Sequence, residues 1–184
     1  MAEFNSNLWA PWRMEYIRSL DPELTDGGCF LCRYWRDPVA DRTNHVVWRA
    51  QSSFVVMNRF PYTNGHLIVS HAEHKSDLSQ LTDDELVQMT RTIRDSVELL
   101  RATLGPQGFN IGYNVGHCAG AGLPGHLHAH VVPRWSGDTN FMAVVGNARV
   151  IPDSLDAVYG ELVKTLASGG LRQRHAGTLD RESP

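Results

Sequence analysis

No stretch of this chain is apolar for anything near the roughly 20 residues that a membrane-spanning helix needs, which excludes a helical span. The stretch "MAEFNSNLWAPWRMEYIRSL" lacks the apolar core of a secretory signal, so no leader is expected. Cysteine is scarce: three in 184 residues do not make a disulfide framework. Excess positive charge is missing too. Lys and Arg number 17 against 20 Asp and Glu, and a net charge of -3 carries no nucleic-acid footprint. Internal repeats and low-complexity tracts are absent. What is left is an ordinary globular composition, 42% hydrophobic and 20% charged, enough for one domain with a real core. The expected setting is the cytoplasm, with neither a membrane nor a nucleic-acid partner.

Along the chain, residues 1–28 mix Trp9, Trp12 and Tyr16 with polar residues and read as an ordered N-terminal arm. "HVVWRA" and "SFVVMN" read as a strand hairpin. "HLIVS" reads as the next strand after the Asn64-Gly65 turn. The clearest helix follows. Thr82 and Glu85 form a capping-box pattern, Leu86, Met89, Ile93, Val97 and Leu100 make an apolar stripe, and Gly105-Pro106 stops it. "GFNIGYNV" is a further strand, and "SGDTNFM" is a loop. A shorter helix is expected from Pro152-Asp153 to about Leu166, and residues 167–184 read as a polar, disordered tail. The fold class is therefore α+β, an antiparallel sheet with a helix against it.

The strongest chemical signal is "GHLHAHVVPRW", Gly125 to Trp135. On a strand, alternate residues share a face. His126, His128 and His130 are thus expected on one side, with Leu127, Ala129 and Val131 on the other. One buried histidine is usually a hydrogen-bonded core residue. Three in register are costly to keep for packing alone, since each imidazole needs a partner. Two chemistries fit: an open three-histidine metal site, or an imidazole nucleophile that attacks phosphorus and divides one displacement into two. The preceding loop, "GHCAGAGLPG", carries Gly116, Gly120, Gly122 and Gly125. Such a backbone can turn N–H groups towards an anion, which favours phosphate. Cys29 and Cys32 form a C-x-x-C pair that needs two more ligands to hold zinc. The candidates are His66, His71, His74, His117 and the edge of the histidine row. No strand reads before Gly27-Gly28, which argues against a redox pair. Cys118 is a lone thiol in the loop. "NRFPYTNGH" by itself is a plain turn.

Together these segments resemble the histidine triad (HIT) superfamily. "HLHAHVV" matches its signature, with Ala129 as a small member, and "PRW" follows. "NRFPYTNGHLIVSHAEH" resembles its nucleotide-contacting turn and strand, and "GCFLC" its zinc-binding start. "NLWAPWRMEYI", "GFNIGYNVG" and "PRWSGDTNFM" resemble the branch of diadenosine tetraphosphate phosphorylases and hydrolases. The likeness runs from about residue 7 to about 166, with residues 29–166 as the HIT domain. It implies a five-stranded antiparallel sheet with helices, joined across a homodimer into ten strands. It implies His128 as nucleophile on the α-phosphorus, flanked by His130 and His66, and a nucleotidyl-histidine released by water or phosphate. Asn58 would bind ribose hydroxyls, and Asn114 and the backbone at Gly122 the phosphate. A structural zinc would sit on Cys29, Cys32, His74 and His126, with no catalytic metal required. One departure stands out: many relatives carry Gln-Ser, Gln-Thr or Gly-Ser where this chain has Ala121-Gly122, so phosphate must lean on backbone N–H groups.

Four functions are open at this level. The first is a nucleotidyl hydrolase or transferase that cleaves dinucleoside polyphosphates. The second is a Hint-type adenosine phosphoramidate hydrolase, which differs only in the leaving group. The others are a zinc-stabilised nucleotide-binding protein without turnover, and a hydrolase using all three histidines as metal ligands.

Overall fold

The computed structural model describes residues 28–138 and 151–169. All but the last residue of the expected arm over 1–28, most of the loop "SGDTNFM" and most of the tail over 167–184 lie outside these residues. Five strands form one antiparallel sheet: β1 (Val46–Arg49), β2 (Ser53–Met57), β3 (Leu67–His71), β4 (Gly108–Tyr113) and β5 (His128–Arg134). Their spatial order is β1-β2-β3-β5-β4. The described helices are α1 (Phe30–Arg36), α2 (Asp41–Asn44), α3 (Asp83–Leu104) and α4 (Leu155–Ala167). None of these helices is long and apolar enough to cross a membrane.

The period of two along each strand divides the buried residues between two faces. Val55, Met57, Leu67, Val69, Ala129 and Val131 face α3 and α4, where Leu99, Leu100, Val158 and Leu162 complete the main core. Val46, Phe54, Val56 and Ile68 face the other way and meet Leu31 and Cys32 of α1 and its N-cap residue Cys29. Alpha-1 therefore covers the β1–β3 half of this second face, and the functional side chains of β5 and β4 lie beside it. Arg49 pins α1 down: Nη1 donates to the Trp35 carbonyl at 2.8 Å and Nη2 to that of Tyr34 at 2.6 Å. The same guanidinium pairs with Asp41.

Helix α3 keeps its expected boundaries. The Thr82 hydroxyl accepts from the Glu85 N–H at 3.3 Å, and the Glu85 carboxylate accepts from the Thr82 N–H at 2.8 Å. Gly105 ends the helix at a positive φ of 59°. Helix α4 begins at Leu155, later than its expected start, because the Ser154 hydroxyl accepts from the Ala157 N–H and caps it there. The turn before β3 depends on Gly65, whose φ is +74° and whose added Cβ would lie 2.5 Å from Leu104 Cδ1.

Candidate active site and metal centre

The histidine row divides where β5 begins. His128 and His130 are on the strand, whereas His126 sits in the turn just before it. Each ring consequently has its own partners, and the three do not converge on one point. His126 turns towards α1. Its Nδ1 lies 3.1 Å from Cys29 Sγ and 3.4 Å from Cys32 Sγ, and His74 Nδ1 lies 3.3 Å from Cys32 Sγ. The ligand atoms of Cys29, Cys32, His74 and His126 all fall within 4.8 Å of one another. A tetrahedral zinc with Zn–S near 2.3 Å and Zn–N near 2.0–2.1 Å has ligand edges of roughly 3.3–3.8 Å, so the donor set and its spacing fit that ion. The outer contact fits as well. His126 Nε2–H donates to the His71 carbonyl at 2.8 Å, leaving the Nδ1 lone pair for a metal. Cys29, Cys32 and His126 are buried and His74 is exposed, so the cluster has one open side. Among the described residues this is the one group with metal-ligand geometry, and it takes only one histidine of the row. That removes the site with three histidines on one ion.

His128 is the most directly oriented ring. Its Nδ1–H donates to the His126 carbonyl at 2.7 Å, which places the Nε2 lone pair on the other side. Burial disfavours the imidazolium and lowers the His128 pKa from 6.5, partly opposed by that carbonyl. His130 belongs to a second chain of contacts. Tyr62 N–H and the Asn58 amide donate to His66 Nδ1 at 3.1 and 3.2 Å, so the His66 proton sits on Nε2. His66 Nε2–H donates to His130 Nδ1 at 3.0 Å. The His130 proton is thereby assigned to Nε2, 3.4 Å from the Asn114 side-chain amide, which must turn its oxygen to this ring to accept it. Asn58 is itself held, since its Oδ1 accepts from the Phe60 N–H at 3.0 Å. Gly122 is half-buried in the loop after the turn His117–Ala119, next to buried Ala121.

Burial holds His66 neutral, with its pKa lowered from 6.5 to about 3, first by desolvation and then by the neighbouring His130 and His128. The unfolded chain binds a proton in that window and the folded chain refuses it, so stability declines as pH falls below 6.5 and is unaffected above it. Between about pH 6.5 and about pH 4.5 His66 should cost roughly 2–3 kcal/mol. Urea midpoints across that range, compared between the wild type and His66→Gln, separate it from the parallel contribution of His126, whose pKa burial lowers to about 4; the variant should have the shallower slope.

Tyr62 has no clear mark in the sequence, and His71, a zinc-ligand candidate there, takes a different part in the fold. The Tyr62 ring lies against His66 at 4.7 Å and near His130 at 6.0 Å between centroids. The turn pattern of "NRFPYTNGH" gave no reason to single it out. His71 supplies the carbonyl that orients His126. Its buried ring accepts from the Glu73 N–H at 3.0 Å, and its Nε2 faces Glu85 Oε1 at 3.2 Å, off the ideal donor axis. A cleft of about 570 Å³ opens from His130 and Asn114 along β4 and β5.

Fold and site together define an α+β sheet protein whose open face bears a histidine row beside a cysteine–histidine metal cluster. The HIT domain model matches residues 40–137, and the chain belongs to the HIT domain family. It is 36% identical over 153 residues to the AP-4-A phosphorylase of Mycobacterium tuberculosis, covering 80% of this chain and 77% of the relative. The asymmetrical bis(5'-nucleosyl)-tetraphosphatase of Schizosaccharomyces pombe is 29% identical over 139 residues, covering 73% of this chain and 69% of that protein. The crystal structure of a zinc-bound histidine triad protein from Mycobacterium smegmatis superposes with a TM-score of 0.63 at 25% identity. That superposition covers 78% of this chain and 96% of the other.

Proposed function

We propose that this protein cleaves dinucleoside polyphosphates at the α-phosphate through a nucleotidyl-histidine intermediate on His128. The contact from His128 Nδ1–H to the His126 carbonyl carries the reading, because it fixes the tautomer with a nucleophilic Nε2 lone pair. Nε2 attacks the α-phosphorus, an N–P bond forms, and the P–O bond to the remaining polyphosphate breaks. Water or phosphate then attacks the same phosphorus, the N–P bond breaks and His128 is restored. His130 Nε2–H, oriented through His66, stabilises charge on the phosphoryl oxygens or donates to the departing oxygen. Asn58 holds ribose hydroxyls. The Asn114 amide and the backbone around Gly122 hold phosphate, with no side-chain donor at Ala121 or Gly122.

Cys29, Cys32, His74 and His126 would hold a structural zinc, which supplies a cross-link between α1, the segment after β3 and the turn before β5. The names of the M. tuberculosis and S. pombe relatives support the substrate class. The protein acts in the cytoplasm, where its free thiols stay reduced. It does so without nucleic acid or membrane, consistent with its net charge of -3. It works as a homodimer, a reading supported by β4 forming an edge of the sheet with Ile111 49% exposed.

Incubation with diadenosine tetraphosphate, with and without inorganic phosphate, tests this. Cleavage at the α-phosphate is expected. AMP as product indicates water as acceptor, and ADP formed only with phosphate indicates phosphorolysis. Absence of both products would sink the proposal.

A further inference from the structure

We infer that Gly112 keeps open a channel for the leaving half of the substrate, so that a second nucleoside lies over β4 and selects dinucleoside polyphosphates over small mononucleotide derivatives. The inference rests on the function proposed above and adds where the leaving group goes. Gly112 pairs directly with His130 in the β4–β5 ladder. Paired residues project to the same face, so a side chain at Gly112 would stand beside the His130 ring. A Cβ built there meets no atom within 4 Å, and the backbone is not in the positive-φ region that calls for glycine. Glycine weakens a strand interior and often marks a place where a ligand approaches. Here the missing side chain leaves space that nothing in the described fold fills.

That space is continuous with the cleft of about 570 Å³, within the range of nucleotide-sized sites. Its base is His130, Val132 and Arg134 of β5, with Tyr62 on one flank and Asn110 on the other. From His130 to Arg134 the strand runs about 13 Å. The far end is electrically balanced: the Arg134 guanidinium donates to Asp138 at 2.8 Å and to Asn110 Oδ1 at 2.7 Å. A charge-balanced far end, with the Tyr62 ring nearer the His130 end of the cleft, suits an uncharged nucleoside better than a terminal phosphate. The first nucleoside, at Asn58, occupies the β2–β3 side of the phosphorus. The β4 side is left for the departing group.

The test uses the full chain, the variants Gly112→Ala and Gly112→Val, and two substrates. One is diadenosine tetraphosphate, and the other is adenosine 5'-phosphoramidate, whose leaving group is ammonia. Filling the channel should lower kcat/KM for the first about 5-fold in the alanine variant and at least about 30-fold in the valine variant, and leave the second within about two-fold. Valine suits a strand, so melting temperature should hold; the alanine variant serves if it does not. Calorimetry with AMP and a non-hydrolysable dinucleoside tetraphosphate repeats the comparison without turnover, and only the second ligand should weaken. Equal losses on both substrates, or unchanged tetraphosphate cleavage in the valine variant, overturn the inference. A wild-type protein that binds and cleaves neither compound overturns the underlying function instead.

Discussion

In His128→Ala, cleavage of a dinucleoside tetraphosphate is expected to fall by at least about 10⁴-fold, the scale on which enzymes lose activity when their nucleophile is removed. AMP affinity should stay within a few-fold, because Asn58, Asn114 and the loop backbone are untouched. The size of the loss follows from how the ring is held. Its Nδ1–H is committed to the His126 carbonyl at 2.7 Å, which leaves the Nε2 lone pair free for attack. His130 is turned into a different chain by His66 at 3.0 Å, so it cannot replace His128. His130→Ala should cost less, on the order of 10²–10³-fold, as befits a group that steadies charge. Rapid quenching with substrate labelled at the α-phosphorus should trap an acid-labile adduct in the wild type and none in His128→Ala. Near-normal turnover in that variant would refute the nucleophile assignment.

The second large effect is expected from Cys29→Ser. Cys29 has two roles: its sulfur lies 3.1 Å from His126 Nδ1, and it caps α1 by accepting from the Cys32 N–H at 3.5 Å. Serine is a good N-cap, so the variant keeps the second role and loses the first. The stability change then reports the metal site. Zinc content should drop from near stoichiometric to well below it. Loss of several kcal/mol, at roughly 2–4 °C per kcal/mol for a chain of this size, lowers the melting temperature by about 10 °C. At low temperature, turnover should fall less than about ten-fold, since the metal orients His128 only through the His126 peptide. Metal analysis and thermal scans decide it: stoichiometric zinc in the variant means that the ligand set is wrong.

Much of this arrangement was legible in the residues. The capping pattern at Thr82 and Glu85, followed by an apolar stripe, gave α3 its limits, because both signals are local and act on one helix. The metal ligands were a different matter: residue types and spacing left five histidine candidates open, and the family resemblance narrowed them to His74 and His126. Other features were hidden for physical reasons. Helix α1 spans seven residues and is capped by a cysteine sulfur, which no propensity scale ranks as a cap. It is held by Arg49, 13 residues beyond its end, so nothing within the segment announces it. The expectation that three histidines share one strand face failed at His126, because pairing of β5 with β3 starts at His128 opposite Ser70. Contacts such as His71 with Glu85 join residues whose closeness depends on tertiary packing. Gly112 read as an ordinary member of a strand pattern, and its pairing with His130 under open space emerges only in the fold.

His126 presents its ring to the cysteine–histidine cluster and its own carbonyl to His128, the proposed nucleophile. Framework and reactivity are thus wired through a single peptide unit. Anyone rebuilding this scaffold to run without an ion would have to supply another acceptor that aims His128 equally well, because removing the anchor also loosens the aim.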